Sequence, residues 1–140
     1  MADKKEIRIL GFNITKISAH KNPEFKGKLE IASNINISSI EEYKTELSNQ
    51  QSLQINFSFT IDYKTLGKIE LQGALFLSMD PKMIKEAIST WKQKKLSTEL
   101  NILFLNIIMQ KASFRSFQLE EELGLPTHIQ LPRLQPEESK

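Results

Sequence analysis

Between residues 53 and 63 apolar and polar side chains alternate without interruption, with Leu53, Ile55, Phe57, Phe59, Ile61 and Tyr63 at the odd positions. A period of two puts all six on one face of a pleated backbone, so this stretch predicts a half-buried strand. Ile69, Leu71, Gly73, Leu75 and Leu77 repeat the pattern, and Ala74 and Phe76 make the end of that run apolar on both faces. Lys64, Thr65, Leu66 and Gly67 between the two runs predict a hairpin loop, with Gly67 supplying a positive φ. Upstream, Phe25, Leu29, Ile31, Ile35 and Ile37 mark another strand. The first run, Ile7, Ile9, Leu10, Phe12, Ile14, Ile17 and Ala19, changes parity twice, which predicts a strand with bulges, because one inserted residue exchanges the two faces. Residues 38–51, SSIEEYKTELSNQQ, are polar and read as a loop or a short helix. Four antiparallel strands are thus expected first, in simple sequence order, with one apolar face that needs a cover.

The period then changes. Asp80 and Pro81 are a cap and a first helical residue, since proline lacks an amide proton that this position does not use. Met83, Ile84, Ala87, Ile88 and Trp91 follow at helical spacing and predict a short amphipathic helix. Residues 97–119 predict a long one, with Ser97 or Thr98 as cap and Glu99 at the positive end of the dipole. Its stripe is Leu100, Leu103, Phe104, Ile107, Ile108 and Lys111, but Ile102, Leu105 and Met109 are apolar on the flanking and opposite faces. A helix apolar on several sides is covered on several sides: by the sheet, and by either the rest of the chain or a second subunit. Leu103, Leu105, Ile108 and Met109 are the residues expected at an oligomer interface. After Leu119 the triple glutamate and Gly124 end the helical pattern, and Pro126 and Pro132 predict an extended tail.

Length and composition narrow the picture. At 140 residues and 39% hydrophobic content the chain fits a single domain spanning 1–140, with 1–5 and 135–140 as flexible termini. There is no cysteine, which removes disulfides, thiolate zinc sites and cysteine nucleophiles. The start of the chain lacks the apolar core of a signal peptide and no run is long enough for a membrane span, so a cytoplasmic protein is expected. The net charge of +2 argues little for nucleic acid, and Lys82, Lys85, Lys92, Lys94 and Lys95 read as the solvated face and last turn of a helix. His20 and His128 have no ligand spacing around them and read as surface histidines. Glu41 with Glu42, and Glu120 with Glu121 and Glu122, are adjacent in sequence and read as solvated faces. No phosphate-binding loop occurs. No enzyme, metal or cofactor is expected.

An apolar surplus remains, in Phe104, Phe114, Phe117, Leu119, Leu125, Ile129, Leu131 and Leu134. Beside a sheet it is material either for core or for a groove that takes an extended peptide. The order of elements, an α+β fold with a four-stranded antiparallel sheet followed by a short helix and a long C-terminal helix packed on it, resembles the SecB export-chaperone family. The resemblance covers residues 7–134. Locally it rests on NILFLNIIMQKASFRSFQLEEELGLPTHIQLPRL and, in part, on the upstream strand GKIELQGALFLSM.

The resemblance implies a homo-oligomer, a dimer or tetramer, that holds unfolded or extended apolar polypeptide in grooves without nucleotide and takes part in protein transport. Carried onto this chain, the peptide-binding residues are Phe57, Phe59, Phe76, Phe114, Phe117, Leu119 and Leu125. Burial of client apolar surface, worth about 25 cal/mol per Å2 before ordering costs, is the driving force. Two features depart from the family: the chain is slightly basic where the family is acidic, and LPRLQPEESK shows no second C-terminal helix. Both bear on docking to a secretion motor. Divergent SecB-like proteins that serve other clients, antitoxins among them, tolerate these losses. The alternative is a structural or regulatory homo-oligomer whose apolar surplus is consumed by self-association.

Overall fold

A computed structural model describes residues 7–45 and 48–129. Four strands, β1 (Arg8–Lys21), β2 (Ala32–Thr45), β3 (Ser48–Asp62) and β4 (Gly67–Ser78), precede two helices, α1 (Pro81–Lys92) and α2 (Thr98–Leu123). All pairings are antiparallel, and the strands lie in the order β1-β4-β3-β2. The expectation of simple sequence order is therefore corrected. β2, β3 and β4 form a meander, while β1 crosses over to pair with β4.

Leu53, Ile55, Phe57, Phe59 and Ile61 of β3 are buried, and on β4 Ile69, Leu71, Leu75 and Leu77 join them. Both helices lie on this face. α1 covers the β2–β3 side and α2 crosses all four strands. The core is thus one layer between sheet and helices, with Ile84 and Ala87 of α1 and Leu100, Phe104 and Ile108 of α2 facing Phe57, Phe59 and Tyr63. β1 shows the two register shifts that its pattern predicts, between Ile9 and Gly11 and between Ile14 and Lys16. They let Phe12 return to the core face, where it stacks on Phe57 with ring centroids 5.2 Å apart.

Three expectations change. The strand containing Ile35 and Ile37 does not begin at Phe25, because Asn22 caps a turn there through bonds to Glu24 and Phe25. It instead runs on into the polar stretch, of which residues 38–45 and 48–51 are neither loop nor short helix but parts of β2 and β3. A bulge after Ile37 switches the parity, so that Ile40 is buried. In the β3–β4 turn the positive φ belongs to Lys64, at 60°, and not to Gly67. Gly67 is needed for another reason: a Cβ there would run into the His20 carbonyl oxygen of β1, and one on Gly73 into that of Asn13.

The helix ends follow the sequence. The Asp80 carboxylate accepts from the Lys82 amide at 2.9 Å and the Ser97 hydroxyl from the Leu100 amide at 3.2 Å. Gly124, at φ 70°, closes α2 in the left-handed conformation. The Gly124 amide donates to the Glu121 carbonyl and the Leu125 amide to the Glu120 carbonyl, the paired bonds of a Schellman end. Residues 125–129 leave it without helix. Leu131, Leu134 and the termini at 1–5 and 135–140 lie outside the described residues.

Candidate functional site

The buried side of α2 is a ridge of every fourth residue: Leu100, Phe104, Ile108, Ala112, Ser116 and Glu120. Its first half is apolar and fits the sheet. From Ala112 onward the side chains become small or polar, and the space they leave is filled by the segment after the helix, which folds back over the last two turns. Leu125 is buried, and the His128 side chain is only 1% exposed, as is that of Glu120. The solvated readings of Glu120 and His128 are corrected by this packing.

A single carboxylate oxygen gathers the segment. Oε2 of Glu120 accepts from the Tyr63 phenol of β3, from the His128 backbone amide at 2.9 Å, and lies 2.9 Å from His128 Nδ1. On the other side of the ring, Nε2 is 3.0 Å from the Ser113 hydroxyl. With Nδ1 protonated towards the carboxylate, the neutral ring leaves Nε2 as acceptor for the Ser113 proton. The imidazole also sits between Phe59 and Phe117, with centroids at 5.7 and 5.2 Å. Burial, and then the hydrogen bond and charge of Glu120, hold the Tyr63 phenol well above its usual range. Among the described residues, Oε1 of Glu120 and Oγ of Ser116 have no hydrogen-bond partner.

Ser113, His128 and Glu120 are linked in the order of a hydrolytic relay. Ser113 lies in the middle of α2, however, where the helix ladder takes the neighbouring amides and leaves no backbone donors for an oxyanion. The arrangement is a clasp that fastens residues 125–129 to α2. Among the described residues no cluster of His, Asp or Glu is placed to hold a metal ion, and no helix is long and apolar enough to cross a membrane.

Beside the clasp an open apolar pocket of about 410 Å3 is lined by Met109, Gln110, Ser113, Phe114, Phe117 and Ile129. Phe114 is 68% exposed above it, and Ile102, Met109 and Ile129 are 52%, 38% and 40% exposed. Of the residues expected to bind peptide, Phe114 and Phe117 line this pocket. Phe59, Leu119 and Leu125 are buried, Phe59 against the same histidine ring that Phe117 touches. Phe57 lies in the core, stacked on Phe12. Phe76 lies on the opposite face of the sheet, against Tyr43 at 4.8 Å. Of the residues expected at an oligomer interface, Met109 is exposed, Leu103 and Leu105 are half-buried, and Ile108 is fully buried in the chain's own core. Ser113, Glu120 and His128 escaped the sequence reading. Continuing the four-residue ridge from Leu100 through Ala112 and Ser116 would have reached Glu120.

No family model and no curated protein matches the sequence. Among solved structures, the fold is similar to that of the Mycobacterium tuberculosis Rv1957 SecB-like chaperone, in complex with a ChAD peptide from the Rv1956 HigA1 antitoxin. The TM-score is 0.52 at 10% identity, over 94% of this chain and 93% of that one. The α+β architecture, a four-stranded antiparallel sheet followed by a short and a long C-terminal helix, is that of a SecB-like protein.

Proposed function

We propose that this chain is a SecB-like holdase chaperone, a cytoplasmic homo-oligomer that binds unfolded or extended apolar segments of other polypeptides in a groove on α2, without nucleotide. The observation that supports it is the apolar surface that one folded chain leaves open: Phe114, Met109 and Ile129 around a 410 Å3 pocket, on the flank of α2 beside the clasp. Phenylalanine exposed to this degree next to a concave surface marks a place where apolar groups leave water on binding. The similar SecB-like chaperone holds a peptide, and we transfer that class of ligand, not the identity of the antitoxin, to this chain. Ile102, on an earlier turn of α2, is the residue we assign to contacts between subunits, together with half-buried Leu103 and Leu105.

The test joins light scattering of the purified protein with suppression of aggregation of a refolding client at equimolar oligomer. A dimer or tetramer that suppresses aggregation and loses this on Phe114→Ser, with mass and fold unchanged, is the expected result. An oligomer that protects no client leaves a structural or regulatory assembly and removes the holdase reading.

A further inference from the structure

We propose that residues 125–129 are an in-chain occupant of the client groove, a strap that an extended client segment displaces; the inference rests on the holdase reading above. The strap is seated as a bound peptide would be. Its leucine side chain is buried, and three residues on its imidazole fills a slot between Phe59 and Phe117, hydrogen-bonded on both ring nitrogens. Ile129 then forms one rim of the open pocket.

The attachment is narrow. Leu125 belongs to the helix end through its bond to the Glu120 carbonyl, and Pro126 has no amide to donate. Beyond these, among the described residues, every hydrogen bond from the strap passes through His128, to Ser113 and Glu120. No strand pairs with it. Among the described residues the seated state also gives Glu120 Oε1 and Ser116 Oγ, both buried, no partner, a penalty that water relieves once the strap lifts. Seated and lifted states are therefore closer in free energy than the number of contacts suggests.

Lifting uncovers Phe59 and the inner side of Phe117 and joins them to Phe114 and Met109. The pocket becomes one groove, and three of the residues expected from the sequence to bind peptide, Phe59, Phe114 and Phe117, flank it. The seated strap also specifies the ligand: an extended segment with a bulky aliphatic side chain and, three residues on, a ring with a hydrogen-bonding edge, His, Tyr or Trp, for Ser113 and Glu120.

Hydrogen exchange tests this on the whole protein with reduced, alkylated α-lactalbumin as the client, after light scattering has established that the client is bound. The amide of His128, which donates to Glu120 in the seated strap, is expected to exchange about tenfold faster in the complex, as the loss of a hydrogen bond to a charged group implies. Unchanged or slower exchange with client bound overturns the strap and leaves the holdase standing; no bound client at all removes both. His128→Ala, which empties the ring slot, is expected to raise apparent client affinity about tenfold by removing the competitor. Equal affinity of His128→Ala and the parent protein also overturns the proposal.

Discussion

The two halves of α2 lie on the same sheet and bury the same ridge, yet they are built from different chemistry. Leu100, Phe104 and Ile108 in the first half exclude water and fill space. Ala112 and Ser116 in the second half give up that volume, and Ser113 and Glu120 hold a separate piece of chain through hydrogen bonds. Apolar packing has no preferred partner and no direction, so the first half fixes the helix on the sheet and does nothing else. A carboxylate with three donors is directional and is costly when left incomplete, so the second half is specific, and it can be undone locally. Stability is concentrated at one end of the helix and adaptability at the other.

The largest break in this contrast is expected at Phe104, which is fully buried in the first half. Phe104→Ala should cost about 4 kcal/mol, from lost transfer and the cavity left behind. Urea unfolding with an unchanged slope would report it. A loss below about 1 kcal/mol would mean that the first half is not the anchor. Next comes Glu120→Leu, which strands the Tyr63 phenol and His128 without their acceptor and should cost about 2 kcal/mol. If this variant instead matched the parent protein in stability, the clasp would be energetically idle.

The third effect is alkaline. Tyr63 keeps its proton in the folded chain above the pH, roughly 10, at which a free phenol loses it. The folded state then binds more protons than the unfolded one, so its stability is complete below that pH and falls as the pH rises past it, by about 1.4 kcal/mol per pH unit for this one group. Stability curves at pH 9 and 11 for the parent and Tyr63→Phe should converge, because the variant lacks the titrating group. Parallel curves would place the phenol in water. Smallest is Ser116→Ala, which removes an unpartnered buried hydroxyl and improves helix propensity, for a gain of about 0.5 to 1 kcal/mol. A loss instead would reveal a partner for Ser116.

The sheet and the first half of α2 were legible in the sequence because their burial is apolar and periodic. Even the two bulges of β1 showed, as changes of parity from Ile9 to Leu10 and from Ile14 to Ile17. The β2–β3 hairpin was not legible, since its arms carry polar side chains on both faces and the bulge after Ile37 moves the core parity from odd positions to Ile40. Phe25 and Leu29 kept strand parity by coincidence in a turn. The clasp was hidden more thoroughly. Three consecutive glutamates do not say which one points inward, and a histidine eight residues from its carboxylate, beyond a proline, has no local signature. Only the phase of the helix separates Glu120 from Glu121 and Glu122.

The strand order has one more consequence, for the time course of folding. β2, β3 and β4 are joined by short turns and can pair as each emerges from the ribosome. β1 is made first but pairs with the last strand, as the bond from Thr15 to Gln72, 57 residues away, illustrates. Closing that loop carries an entropic cost that no local contact offsets, so β1 docks only after the meander exists. At roughly 5 to 20 residues per second of synthesis, the nascent chain spends several seconds with Ile9, Phe12, Ile14 and Ile17 unpaired. A protein for which we propose the shielding of other chains' apolar segments thus passes, newborn, through an interval in which its own first strand has the same need.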